Sequence, residues 1–256
     1  MICLDKDLKL KQSNNLILAT HRMNIQQMRL FFYACSQYQG DLDIEVSIDD
    51  INRILAYQGG NQREIIKNAI PTLMQSALVH IDDENGERWS IAITDSYIKN
   101  DNKTVRFTFN KTVQKELEEL RGYTWLYLSN LTGMSSTYAV RIYEFFAMRL
   151  GSQNKKDKFD FDLNKLRIYL DCTNKLEDFR NFEITVLKKA EKEINEKTNI
   201  KMSYKKIKTG RSITSILFTF KWKSKADVID VKTEEHQKPM NQAEQMELKE
   251  FLKEFE

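Results

Sequence analysis

From Asn24 to Ser36, NIQQMRLFFYACS places its apolar residues at helical spacing, and STYAVRIYEFFAMRL does the same from Ser136 to Leu150. Each predicted helix leads into a brief alternating strand pattern, IEVS at 44–47 and KFDF at 158–161. A short helix follows each strand. SIDDINRIL (47–55) and DLNKLRIYL (162–170) open on a capping residue, Ser47 or Asp162. Their apolar residues share offsets, with Ile48, Ile51, Ile54 and Leu55 against Leu163, Leu166, Tyr169 and Leu170. Spacings of three and four put these on one helix face, and the cap oxygen accepts from free N–H groups of the first turn. Further on, IIKNAIPTL (65–73) matches VLKKAEKEI (186–194), and VRFTFNK (105–111) echoes ILFTFKW (216–222). Amphipathic helices resemble one another, so one match means little. Three in the same order mark an internal repeat.

Helix, strand, helix, helix and β-hairpin is the order of a winged helix, a helix-turn-helix with a β-wing. The chain is therefore expected to be α+β: two tandem winged-helix domains, rich in helix, plus an acidic C-terminal tail. The expected divisions are 1–120, 121–223 and a tail at 224–256. The segment KTVQKELEELRGYTWLYLSNL (111–131) predicts a connecting helix that couples the two units rigidly, with Trp125 and Tyr127 as packing residues. The tail predicts disorder ending in an amphipathic helix with a Leu248, Phe251, Leu252 and Phe255 stripe. That stripe is a candidate dock for a partner protein.

Charge separates the two copies. The chain has 256 residues and a net charge of +3. Residues 1–120 carry 14 basic against 17 acidic side chains, residues 121–223 carry 21 against 11, and residues 224–256 carry 5 against 9. The positive charge is concentrated in the second copy, and such a field attracts polyanions.

Two surfaces of that copy suit DNA. In DFRNFEITVLKKAEKEINEKT (178–198), a helical step groups Phe179, Phe182, Val186, Leu187, Ala190 and Ile194 as core. Opposite lie Asn181, Thr185, Lys188 and Lys192, flanked by Arg180 and Ile184. Asn pairs an adenine edge, Arg a guanine, and Ile or a Thr methyl touches thymine, while the lysines suit phosphates. The alternative is an ordinary solvated helix face. The stretch KMSYKKIKTGRSITSILFTF (201–220) predicts a hairpin wing, with Lys201, Lys205, Lys206, Lys208 and Arg211 as phosphate contacts. In the first copy the third helix, near 61–77, turns Asn61 and Asn68 outward and draws charge only from Arg63 and Lys67, with a kink expected at Pro71. It could add DNA contacts or act mainly as a dimerisation surface.

Catalytic constellations do not form. The three histidines, His21, His80 and His236, make no His-x-His metal pair, and no G-x-x-x-x-G-K-[ST] loop occurs. Tyr143 and Tyr169 fall on core faces, and Asp160 and Asp162 at a strand end and a helix cap. Cys3, Cys35 and Cys172 are odd in number and widely spaced, which fits reduced thiols in a cytoplasm. The chain is expected to be a cytoplasmic protein without membrane span, enzyme activity, metal or cofactor.

YAVRIYEFF (138–146), FDLNKLRIYL (161–170), DFRNFEITVLKKAEKEINEKTNIKMSYKKIKTGR (178–211) and ILFTF (216–220) resemble the iteron-binding replication initiators of theta-replicating plasmids. The most specific piece is A-x-x-E-I-N-x-x-T followed by a strand and K-x-G-R, and LKLKQSNNLILATHRMN extends the likeness to residues 8–222. The resemblance implies a non-enzymatic binder of duplex DNA at tandem origin repeats. It further implies opening of an adjacent AT-rich segment, recruitment of host initiator and helicase proteins, and autorepression by a dimer formed through the first winged helix. It places Arg180 and Asn181 among the reading residues. Within the same class, a winged-helix repressor without a replication role stays open; from another class, so does a protein-interaction scaffold.

Overall fold

The structure, a computed structural model, describes residues 8–55, 70, 77–83, 86–99, 103–118, 122–152 and 157–224. The chain divides into two compact units, Met1–Leu120 with Leu126–Thr132, and Arg121–Trp125 with Gly133–Glu256.

The first unit begins with β1 (Lys9–Ser13), α1 (Asn14–Leu18) and β2 (Thr20–His21). Ser13 starts α1, its Oγ accepting from the Leu16 amide at 3.0 Å. Helix α2 (Ile25–Ser36) opens on a reciprocal cap. Asn24 Oδ1 accepts from the Gln27 amide at 3.0 Å, and Gln27 Oε1 accepts from the Asn24 amide at 2.7 Å. The helix buries Met28, Leu30, Phe31, Phe32 and Ala34. Strand β3 (Asp43–Ser47) turns Ile44 and Val46 inward, and α3 (Ile48–Leu55) adds Ile48, Ile51 and Ile54. Strands β4 (Ala77–Asp83), β5 (Gly86–Ile91), β6 (Ile93–Ile98) and β7 (Thr104–Phe109) follow, then α4 (Lys111–Glu118). Next come β8 (Tyr123–Tyr127) and α5 (Leu128–Gly133).

The continuous helix expected over 111–131 is therefore corrected. Tyr123, Trp125 and Tyr127 alternate with the buried Thr124 and Leu126, a period of two that favours strand. Trp125 is exposed rather than packed, although Tyr127 lies half-buried beneath the Lys9 ammonium.

The second unit contains α6 (Thr137–Gly151), β9 (Lys158–Asp162), α7 (Leu163–Tyr169) and a long third helix. That helix runs through α8 (Phe179–Phe182), a π turn (Glu183–Lys188) and α9 (Lys189–Lys197). Strands β10 (Ile200–Thr209) and β11 (Ser212–Trp222) complete the unit. Aromatic packing dominates the core. Phe146 stacks on Phe220 at 4.1 Å, and Phe145 meets Phe159, Phe161 and Tyr169 at 5.2–5.7 Å. A fully buried Phe contributes about 1.5–3 kcal/mol through its apolar area, so this cluster fixes the angle between α6 and the sheet.

The repeat read from the sequence is present in the strands at the level of register. Sheet order is β3-β7-β6 in the first unit and β9-β11-β10 in the second. Phe107 faces Ile44 as Phe218 faces Phe159, and Thr108 faces Asp43 as Thr219 faces Lys158. The Phe109 amide donates to the Leu42 carbonyl at 2.9 Å, and the Phe220 amide donates to that of Asp157 at 2.8 Å. Ser47 and Asp162, the helix caps, end equivalent strands and accept from the Asp49 and Asn164 amides respectively. A second sheet of the first unit, β2-β4-β5, is not matched in the described part of the second.

Candidate nucleic-acid interface

The third helix of the second unit carries one buried face. Phe182, Val186, Leu187, Ala190 and Ile194 are each 0% exposed. Phe179, expected in the core, is instead half-buried at the helix start, where the Lys206 ammonium lies 6.0 Å from its ring. Arg180, Asn181, Ile184, Thr185, Lys188 and Lys192 are all exposed together. Ile184 is 52% exposed. The π turn spans this reading segment; its i→i+5 bonding widens the helix there.

Three devices hold that helix in place. Asp178 caps it, Oδ1 accepting from the Asn181 amide at 2.9 Å. Arg167 packs over the Phe182 ring at 4.7 Å and donates to the carbonyls of Leu176 and Glu177, bracing the turn before the helix. Glu193, 6% exposed, accepts from the Ser135 hydroxyl and from the amides of Ser135 and Ser136 at 2.9 and 3.0 Å, just ahead of α6. Burial alone would raise the Glu193 carboxyl, but these hydrogen bonds and nearby Lys197 outweigh it and hold its pKa below the ordinary value.

The wing is a two-stranded ribbon whose turn passes through Gly210, at φ 63°. That left-handed conformation favours glycine. Asn195 clamps the ribbon's base, with Nδ2 donating to the Met202 carbonyl at 2.9 Å and Oδ1 accepting from the Met202 amide at 2.7 Å. Lys201, Lys205, Lys208 and Arg211 are exposed and make no salt bridge among the described residues. Lys206 differs. Its Nζ sits 3.0 Å from Glu183 Oε1, an ion pair between wing and helix.

These contacts explain the sequence motif A-x-x-E-I-N-x-x-T. Ala190 and Ile194 are core, Glu193 holds Ser135 and Ser136, and Asn195 clamps the wing. Thr198 Oγ1 donates to the Ile194 carbonyl at 2.8 Å and accepts from the Ile200 amide at 3.1 Å. The motif builds the platform and does not itself face outward. Glu183, Asn195 and Tyr204 were missed as site residues because their partners are 21, 7 and 21 positions away.

In the first unit, Asn61, Arg63, Lys67, Asn68 and Pro71 lie outside the described residues, as do the tail residues Leu248, Phe251, Leu252 and Phe255. In and beside the described β6–β7 ribbon there, Lys99 and Arg106 are paired. Lys99 Nζ lies 2.6 Å from Glu45 Oε2, and Arg106 lies 4.0 Å from Asp43 and 5.7 Å from the Tyr97 ring centre. His21 is buried, its Nε2 2.9 Å from the Leu16 carbonyl, and no metal-binding cluster occurs among the described residues. Cys172 is buried, and burial raises its thiol to about 11. Among the described residues no helix is long and apolar enough to cross a membrane.

Two winged-helix units, the second with four wing cations in no salt bridge among the described residues, define a tandem winged-helix protein of the DNA-binding class. The chain belongs to the initiator replication protein family: the profile described as Initiator Replication protein, WH1 matches residues 9–147, and Initiator Rep protein, WH2 matches 162–220. Among solved structures, the Pi initiator protein in complex with iteron DNA superposes with TM-score 0.68 at 19% identity, covering 85% of this chain and 98% of that one. Domains 2 and 3 of RctB give TM-score 0.48 at 13% identity, covering 77% and 80% respectively. No curated protein matches.

Proposed function

We propose that this replication initiator works by binding double-stranded tandem repeats of a plasmid origin, with no catalytic step of its own. The observation that carries this reading is a set of exposed residues on two elements of the second unit. There Arg180, Asn181, Ile184, Thr185, Lys188 and Lys192 on the third helix accompany the wing cations Lys201, Lys205, Lys208 and Arg211, all exposed. The fold match to an initiator in complex with iteron DNA supports it. Helix residues enter the major groove, with Arg180 and Asn181 meeting base edges and Ile184 and the Thr185 methyl meeting thymine methyls. Wing cations meet phosphates and release counterions, which makes binding strongly salt-dependent. Several copies on adjacent repeats strain the duplex and lower the cost of opening AT-rich DNA beside them. Recruitment of host initiator and helicase proteins, and autorepression by a dimer, belong to the same reading.

Footprinting of the full chain on DNA flanking its own coding region tests it. Regularly spaced protection over direct repeats beside an AT-rich stretch is expected. Protection of a lone inverted repeat would favour a repressor, and no protection at any salt concentration would favour a scaffold.

A further inference from the structure

Glu183 lies between the two DNA-facing elements. It sits on the π turn, next to exposed Ile184, yet its own side chain is only 17% exposed. Its Oε1 accepts from the Tyr204 hydroxyl at 3.1 Å and from Lys206 Nζ at 3.0 Å, and Oε2 lies 3.3 Å from the same Nζ. Strand alternation explains why these two wing residues meet it. Met202 is buried, Tyr204 half-buried and Lys206, though exposed, reaches Glu183, while the alternate residues Lys201, Ser203 and Lys205 are exposed. Asn195 holds the wing at its base, and Glu183 holds it further toward the tip.

We propose that Glu183 is a positioning and specificity residue: it fixes the wing against the reading helix and keeps the Lys206 charge away from phosphate. Hydrogen bonding from Lys206, with help from Tyr204 and the nearby charges, holds the Glu183 carboxyl below its ordinary pKa, so the carboxylate stays ionised at neutral pH. A cation held this way adds little to sequence-independent grip. The grip comes from Lys201, Lys205, Lys208 and Arg211, and the register between wing and groove comes from the Glu183 bridge. This rests on the reading above that the surface binds duplex DNA.

The test compares wild type, Glu183→Gln, Lys206→Met, the double variant and Lys205→Met as full chains. Affinity is read by fluorescence anisotropy on a duplex carrying the footprinted repeat and on an unrelated duplex of equal length, over a range of salt. Freeing one cation for phosphate steepens the dependence of log K on log salt by about 0.9. Glu183→Gln is therefore expected to show that steepening, bind the unrelated duplex roughly fivefold tighter, and lose about tenfold in its preference for the repeat. Lys206→Met should leave the slope unchanged, whereas Lys205→Met should lower it by about 0.9. Adding Lys206→Met to Glu183→Gln should return the unrelated-duplex affinity to its starting value.

An unchanged slope and preference in Glu183→Gln would overturn the proposal. So would an equal slope loss in Lys206→Met and Lys205→Met, a comparison that holds even if Glu183→Gln fails to fold. If wild type binds neither duplex, the DNA reading itself fails instead.

Discussion

The two winged helices share a strand register down to single hydrogen bonds, yet they treat charge in opposite ways. In the β3-β7-β6 sheet, Arg106 on β7 is matched by Asp43 on the adjacent β3, and Lys99, just past β6, by Glu45 on β3. In the β9-β11-β10 sheet, four of the five wing cations face solvent without a salt bridge among the described residues, and only Lys206 is matched. The residues that specify the fold are common to both copies: the Phe-Thr-Phe strand, the capped short helix and the apolar face of the first helix. The residues that differ are those facing outward. Pairing state, more than cation count, separates a surface suited to phosphate from one occupied with its own carboxylates. Surface ion pairs of this sort add at most about 1 kcal/mol to stability, so their consequence lies in what they withhold from a ligand.

The largest expected effect comes from stripping the second wing. Changing Lys201, Lys205, Lys208 and Arg211 together to Ala should weaken duplex binding by about two to three orders of magnitude at moderate salt. Changing Lys99 and Arg106 in the first wing should cost less than about threefold. Electrophoretic mobility shifts on one duplex decide between them, and equal losses would break the contrast. Next in size is base reading. Arg180→Ala or Asn181→Ala should each cost about 1–3 kcal/mol of discrimination at a single base pair, visible as relaxed preference in a binding-site selection.

A third prediction separates platform from reader. Glu193→Gln should lower thermal stability by about 2 kcal/mol, because a charged acceptor of three hydrogen bonds is replaced by a neutral one. The sign with pH follows from the lowered carboxyl. Its stabilisation is complete above the ordinary carboxylate value of 4.5 and fades as pH falls through the lower folded value. Melting curves across that acidic range should converge for wild type and variant. The smallest effect is expected from Asn195→Ala, which should cost about 1 kcal/mol of stability and a few-fold in affinity, with no change in salt slope, because it loosens the wing without removing charge.

Much of this was legible in the chain because both signals are local or periodic. The core faces of α6, α7 and the third helix follow from spacing, and the capping roles of Ser47, Asp162 and Asp178 lie within three residues of what they cap. The repeat order gave the winged-helix topology without any distant pair being known. What escaped detection was long-range. Lys206 reads as one more basic residue until Glu183 is placed beside it. The segment 123–127 reads as helix because Leu117, Leu126, Leu128 and Leu131 mix two periods, and strand alternation is clear only once their burial is known. The β2-β4-β5 sheet escaped notice because β2 is a two-residue strand.

The central claim is that the exposed face of the second unit's third helix lies in the major groove. An iron chelate tethered through an Asn181→Cys substitution tests it, with Cys3→Ser added while Cys35 and Cys172 stay in place, both buried. Localised strand cleavage at one fixed position within every bound repeat is the expected result. Scattered cleavage or none, from a variant that still shifts the repeat, would contradict it.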